Sequence, residues 1–240
     1  MHLIIDIGNS FIKLAILDQA NEVHYYKRYD KVLVTDLKQL YKKFQFEKAM
    51  VSSTRTGRPY FLKYLEKHHG LVTLSHKTKL PITNKYGTPK TLGRDRIAAV
   101  VGAITAFPRK NCLVIDLGTC ITYDFIDKKK TYWGGNIAPG VELRLKAMHH
   151  FTSALPLVDR KWNKNILGNS TLAALQNGAV WGIKLEIESF IKTLTDKKGQ
   201  LTVILTGGDA SYFGERLDSE IFVDSNLVLK GLNDILVYNG

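Results

Sequence analysis

Two short segments of the chain carry the same set of phosphate-binding residue types. Residues 3–10 read Leu-Ile-Ile-Asp-Ile-Gly-Asn-Ser, and residues 113–120 read Leu-Val-Ile-Asp-Leu-Gly-Thr-Cys. In each, an apolar run ends in Asp-x-Gly: Asp6-Ile7-Gly8 and Asp116-Leu117-Gly118. Glycine lets backbone approach a ligand closely. Free amide N–H groups beside Asn9, Ser10 or Thr119 cradle phosphate oxygens. Asp6 and Asp116 supply hard oxygen ligands, which suit magnesium bridging phosphates. Lys13, in the stretch Phe11-Ile12-Lys13 that returns from the first turn, is placed to reach a phosphate. One Asp-x-Gly is common in plain hairpins. A second copy at half the chain length argues for two turns gripping one polyphosphate.

A second constellation lies at residues 86–96, Tyr-Gly-Thr-Pro-Lys-Thr-Leu-Gly-Arg-Asp-Arg. Asp95 falls between Arg94 and Arg96 in the first turn of an expected helix, where the dipole and both guanidinium groups favour the carboxylate. A carboxylate so placed can take a proton from a substrate hydroxyl, and Arg96 can clamp an anion with two bonds. A third glycine turn, Gly207-Gly208, follows the apolar run 203–205 and could pass under a nucleoside. Residues 133–140 read as a Gly-rich loop before a helix. Asn169 or Ser170 is placed to cap a long helix. His68-His69 and His149-His150 lack partners at metal-ligand spacing, and Cys112 and Cys120 read as small buried residues.

The elements that must position these groups alternate. Strands are expected at the two Asp-x-Gly segments and their returning stretches, at 48–53 and at 201–206. Helices are expected at 60–69, 94–106 and 170–194, with Pro108 stopping the second of these. Alternation of this kind indicates an α/β fold. The repeat divides the chain into halves, 1–109 and 110–240, read as two similar domains facing each other. Gly178 and Gly182 share one face of the long helix and would admit another helix, within the domain or across a dimer.

Composition excludes several classes. The 240 residues carry 34 Lys+Arg against 22 Asp+Glu, a net charge of +12, yet no block of five or six like charges suggests a nucleic-acid arm. That charge reads as solubility, with attraction of an anionic substrate as the second reading. Two cysteines exclude a disulfide scaffold. No run approaches the roughly 20 apolar residues of a membrane helix, and no secretory leader is recognisable. A cytoplasmic protein is the expectation.

The motifs together resemble the type III pantothenate kinases of the acetate-and-sugar-kinase/actin superfamily. The resemblance rests on 6–13 (DIGNSFIK), 86–96, 115–125 (IDLGTCITYDF), 134–140 (GGNIAPG), 167–171 (LGNST) and 205–210 (LTGGDA), in the family's order and spacing. It implies two ribonuclease-H-like, actin-like ATPase domains facing an interdomain cleft. It also implies ATP-dependent phosphorylation of pantothenate, the first step toward coenzyme A. By family pattern, Asp6, Ile7, Gly8, Asn9, Ser10, Phe11, Ile12 and Lys13 form the first phosphate loop, with Asp6 near magnesium. Thr119, Gly207 and Gly208 would contact ATP, and Asp116 would bind potassium or ammonium. Tyr86, Gly93, Arg94, Asp95, Arg96 and Thr171 would form the pantothenate site, with Asp95 as proton acceptor. A homodimer is implied, with Thr171 acting across it. The chain departs from the pattern at Ser10, Cys120 and Arg94, where Thr, Ala and a small residue are usual; the bulk of Arg94 is expected to point to solvent or the cleft mouth. Other readings of the residues are a related small-molecule kinase, a ribonuclease-H-like nuclease and a non-enzymatic ATP-binding regulator.

Overall fold

The computed structural model describes residues 1–240 except Asn9 and Thr56. In chain order the elements are β1 (His2–Ile7), β2 (Ile12–Leu17), β3 (Val23–Tyr29), α1 (Val34–Phe44), β4 (Lys48–Ser53), α2 (Tyr60–His68), β5 (Leu71–Thr73), β6 (Thr83–Asn84) and α3 (Arg94–Ala106). They continue with β7 (Cys112–Leu117), β8 (Cys120–Ile126), β9 (Thr131–Pro139), α4 (Val141–His150), α5 (Thr171–Lys198), β10 (Thr202–Thr206), α6 (Ala210–Gly214), β11 (Phe222–Val223) and α7 (Leu227–Tyr238). They group into two compact units.

The first unit comprises 1–110, 126–134 and 226–240. Its sheet runs β3-β2-β1-β4-β5. β1 and β2 form the antiparallel hairpin expected of the first Asp-x-Gly segment, and β4 lies parallel to β1 on the other side. Every residue of β1 is buried, as a central strand covered on both faces requires. Leu3, Ile5, Ile7, Leu14 and Ile16 meet Leu37, Leu40, Phe61 and Leu65 of α1 and α2 on one face. β3 is an edge strand of alternating burial, with Lys27 and Arg28 exposed. Tyr41, Tyr64 and His69 gather where α1 and α2 end, within 4.4–5.7 Å of one another where ring pairs are closest.

α7, which the repeat placed with the second half, belongs to this first unit. It packs along α3 at unusually short range: a Cβ on Gly231 would lie 1.8 Å from the Ala98 carbonyl oxygen, and one on Gly102 2.6 Å from that of Leu227. Close helix approach therefore occurs here. Gly178 of α5 has open space where its Cβ would be, and Gly182 has only the Arg144 guanidinium at 3.6 Å. α7 is also tied to the β2–β3 turn. The buried Asn233 accepts at Oδ1 from His2 Nδ1 at 2.7 Å and donates through Nδ2 to the Asp18 carbonyl at 2.7 Å.

The second unit comprises 111–125 and 135–225. Its sheet is ordered β11-β10-β7-β8-β9, with β10 parallel to both β7 and β11. Val180, Ile183 and Ile187 of α5 pack with Leu113, Ile115 and Leu117 of β7 in one buried cluster. Ser170 caps α5 through its hydroxyl, which accepts from Ala173 N at 3.2 Å. The tip of the β8–β9 hairpin counts with the first unit, where Thr131 and Tyr132 pair in parallel with β6. Residues 133–139, expected as loop, thus continue strand β9, and Gly140 is the N-cap of α4.

Candidate active site

In the first unit the hairpin register places Asp6 directly opposite Lys13. Cross-strand neighbours interact, and the Lys13 ammonium stands 3.3 Å from the Asp6 carboxylate. Asp6 is 5% exposed. Burial pushes its carboxyl above the usual range; Lys13 opposes this, and the negative charge of Asp95 adds to the rise. Gly8 N donates to the Phe11 carbonyl at 3.1 Å, closing the turn. Ser10 is exposed, Phe11 is exposed, and Ile12 is buried at the start of β2. Asn9, expected among the phosphate ligands, lies outside the described residues.

α3 begins where expected, with Gly93 as N-cap and Asp95 in the first turn. Arg96 N donates to Asp95 Oδ1 at 2.9 Å. A Cβ on Gly93 would come within 2.5 Å of that same oxygen, so a larger residue there would push the carboxylate away. Arg96 is 4% exposed, and its guanidinium carbon lies 5.5 Å from the Tyr86 ring centroid. The Tyr86 ring stacks near Tyr132 at 6.2 Å and 20°, and Tyr86 N donates to Asn84 Oδ1 at 2.9 Å. Arg94 folds back instead of pointing outward. It is half-buried, and its guanidinium donates to the carbonyls of Leu92 at 3.0 Å and Lys90 at 3.4 Å.

The second Asp-x-Gly turn sits among glycines. Gly118 N donates to the Cys120 carbonyl at 3.1 Å, and Gly140 N to that of Thr119 at 3.0 Å. Gly207 has φ 92°, and a Cβ there would lie 2.4 Å from Asp116 Oδ1 and 2.6 Å from the Leu117 carbonyl. Only glycine fits that position. Gly208 is exposed with nothing near its missing Cβ, and Thr119 is exposed as well. Cys120 is exposed, against the expectation of burial, because it opens β8 beside the turn; Cys112 is buried, and burial pushes its thiol up to about 11. Thr171, the first residue of α5, is exposed.

Sequence reasoning missed three groups beside these turns. Arg55 Nε donates to the Gly8 carbonyl at 2.6 Å. Asp209 pairs with Arg160, whose guanidinium carbon lies 5.0 Å from the Tyr212 ring centroid. Tyr132 stacks on Tyr86. Arg55 and Asp209 follow β4 and β10, the parallel neighbours of β1 and β7. In such sheets ligands gather at the carboxyl ends of strands, a signal available once strand order is known.

The family model for type III pantothenate kinase matches residues 2–193. The chain belongs to the type III pantothenate kinase family. It is 44% identical to the type III pantothenate kinase of Phocaeicola vulgatus over 240 residues, covering 100% of this chain and 99% of that one. Among solved structures it is similar to a candidate Baf family transcriptional activator from Campylobacter jejuni. The TM-score is 0.63 at 23% identity, covering 99% of this chain and 98% of that one. A candidate N-acetylmannosamine kinase from Listeria monocytogenes gives 0.59 at 11%, with 99% and 98% covered. At those identities the likeness speaks for the fold alone. It is the fold of the actin-like ATPases and sugar kinases that the motifs implied. No helix among the described residues is long and apolar enough to cross a membrane.

Proposed function

We infer that the chain carries the activity of its family, the ATP-dependent phosphorylation of pantothenate to 4′-phosphopantothenate. The observation that carries the reading is the placement of Asp95, on the first turn of α3, in the electrostatic neighbourhood of Asp6 and Lys13. It puts a proton acceptor beside a turn suited to phosphate. Phosphoryl transfer asks for in-line positioning and charge neutralisation more than for a strong base. Asp95 orients the pantothenate hydroxyl and takes its proton. Arg96 holds the substrate carboxylate, with Tyr86 lining the same pocket. Arg94 serves by fixing the loop before α3 through the carbonyls of Leu92 and Lys90.

Residues 6–13 hold the phosphates of ATP, with Lys13 offsetting their charge, and Thr119, Gly207 and Gly208 contact the nucleotide. Asp6 is a buried hard-oxygen ligand with a second carboxylate nearby, a charge arrangement that Mg²⁺ would neutralise. Mg²⁺ held there would supply Lewis-acid stabilisation of the transferring group. Asp116, set against the Leu117 carbonyl and the Gly207 turn, is the candidate for a potassium or ammonium ion. α5 exposes Leu172 at its first turn and Leu185 further along. We assign α5 to a homodimer in which Thr171 acts across the interface. ATP and pantothenate are the small-molecule partners, and the cytoplasm is the compartment.

A coupled ADP-release assay tests the activity. ADP is expected only when pantothenate is present, and release independent of pantothenate, or none at all, would refute the reading. Light scattering near 27 kDa at micromolar concentration would refute the dimer.

A further inference from the structure

A backbone turn that binds an anion must face its N–H groups to the ligand and its carbonyl oxygens away from it, because a carbonyl dipole repels phosphate. In the first unit the two carbonyls entering the turn are both held back. The Ile7 carbonyl accepts from Thr54 N at 3.0 Å and from Thr54 Oγ1 at 3.2 Å. The Gly8 carbonyl accepts from Arg55 Nε at 2.6 Å. Arg55 is itself set in place by Ser53, whose hydroxyl accepts from Arg55 N and donates to the Arg55 carbonyl, each at 3.2 Å. Ser53 ends β4, opposite Ile7 in the parallel register. The segment Ser53-Thr54-Arg55 is therefore a strap across the back of the turn.

We propose that Arg55 is a positioning residue for the phosphate turn: its guanidinium fixes the Gly8 carbonyl so that the turn's amides stay aimed at the phosphates of ATP. The inference rests on the reading of 6–13 as the phosphate turn. A charged donor makes the stronger kind of hydrogen bond. The side chain also borders an open cavity of about 480 Å³, shared with Ile12, Val32 and Tyr60. A truncated side chain there would meet space rather than a clash.

The test is steady-state kinetics on the full chain with Arg55→Met, Arg55→Lys and Thr54→Val, each with its melting temperature. Arg55→Met should raise KM for ATP about tenfold, the size of one charge-assisted hydrogen bond. It should leave KM for pantothenate within about twofold. Arg55→Lys, which keeps a charged donor without the planar fork, should recover most of that loss. Thr54→Val should act in the same direction more weakly, because Thr54 N still holds Ile7. Wild-type KM for ATP in Arg55→Met would overturn the proposal, as would a parallel rise of both KM values tracking a lower melting temperature. Lys13→Met separates the two levels. If it raises KM for ATP while Arg55→Met does not, the inference about Arg55 falls alone. If neither variant changes KM for ATP, the phosphate-turn reading falls and takes the inference with it.

Discussion

The two Asp-x-Gly hairpins start from similar sequences and end in different chemistry. Both have a parallel neighbour whose following loop donates an amide to the carbonyl of the strand's last residue: Thr54 N, directly after β4, bonds Ile7 O in the first, and Asp209 N, three residues past β10, bonds Leu117 O in the second, each at 3.0 Å. Beyond that shared frame they diverge. Lys13 stands opposite Asp6, whereas the position 110 residues on is Tyr123, a buried side chain whose hydroxyl donates to Glu186 at 2.7 Å. The strap after β4 brings the cation Arg55; the one after β10 brings two glycines and the anion Asp209. The first turn is thus built with positive charge around a buried carboxylate. The second is built of backbone packed against Asp116. A repeated strand–turn–strand supplies a scaffold, and the residues on the neighbouring strands decide which ion it suits.

The largest effect should come from Asp95, the carboxylate beside the first turn. Asp95→Asn keeps shape and one acceptor oxygen but loses the basic site. It should lower kcat by about 10²–10⁴-fold, the usual range for general-base assistance, with KM for ATP nearly unchanged. Arg96→Ala should instead raise KM for pantothenate most. An Asp95→Asn enzyme retaining most of its kcat at saturation would make Asp95 a helix-start residue and nothing more.

The next effect sharpens the ion assignment. If Asp116 holds a monovalent cation, potassium or ammonium should support activity well above sodium. Asp116→Asn should erase that preference and cost about tenfold or more in activity. Lys13→Met should leave the preference in place. Equal wild-type activity in sodium and potassium would remove the proposed difference between the turns.

Both hairpins, β4, α2 and the helix carrying Asp95 were legible in the sequence, because their signals are local: apolar runs, an Asp-x-Gly turn, an acid in a first helical turn. The placement of α7 was not. Its partner α3 is remote in sequence, and the contact depends on Gly102 and Gly231 meeting backbone, which no spacing announces. Gly178 and Gly182, which do have helical spacing, meet no such backbone. β9 was hidden because Gly134 and Gly135 mimic a loop, although a Cβ on Gly135 would lie 1.5 Å from the Tyr123 carbonyl oxygen of the neighbouring strand. Arg55 was invisible for the same reason: its role comes from the parallel pairing of β1 with β4.

The second turn's dependence on backbone makes it sensitive to a single methyl. Gly207→Ala forces an L residue to φ 92° and sets its Cβ 2.4 Å from Asp116 Oδ1. About 2 kcal/mol of destabilisation is expected, a fall in melting temperature of roughly 4–8 °C for a chain of this size. Gly208→Ala, with open space at its Cβ, should melt within about a degree or two of wild type. Equal melting of the two variants would show that the turn yields where the geometry says it is fixed.

The smallest effect tests the burial of Asp6 itself. Its folded carboxyl is raised above the unfolded value of 3.8, chiefly by desolvation, so the folded state holds that proton more tightly than the unfolded chain. The resulting stability is present at pH values below the unfolded value and is lost as pH rises through the raised folded value. Asp6→Asn removes the ionisable group and keeps the size. In EDTA, its melting temperature should match wild type near pH 3.5 and exceed it at neutral pH. Lys13 loses the Asp6 ion pair in this variant, but it is partly exposed and stays solvated. Saturating Mg²⁺ and ATP should then reverse the order, because only the wild type gains the full binding energy. Should Asp6→Asn melt below wild type at neutral pH in EDTA, the Lys13 pair outweighs desolvation, and Asp6 holds the hairpin together instead of being held in it at a cost.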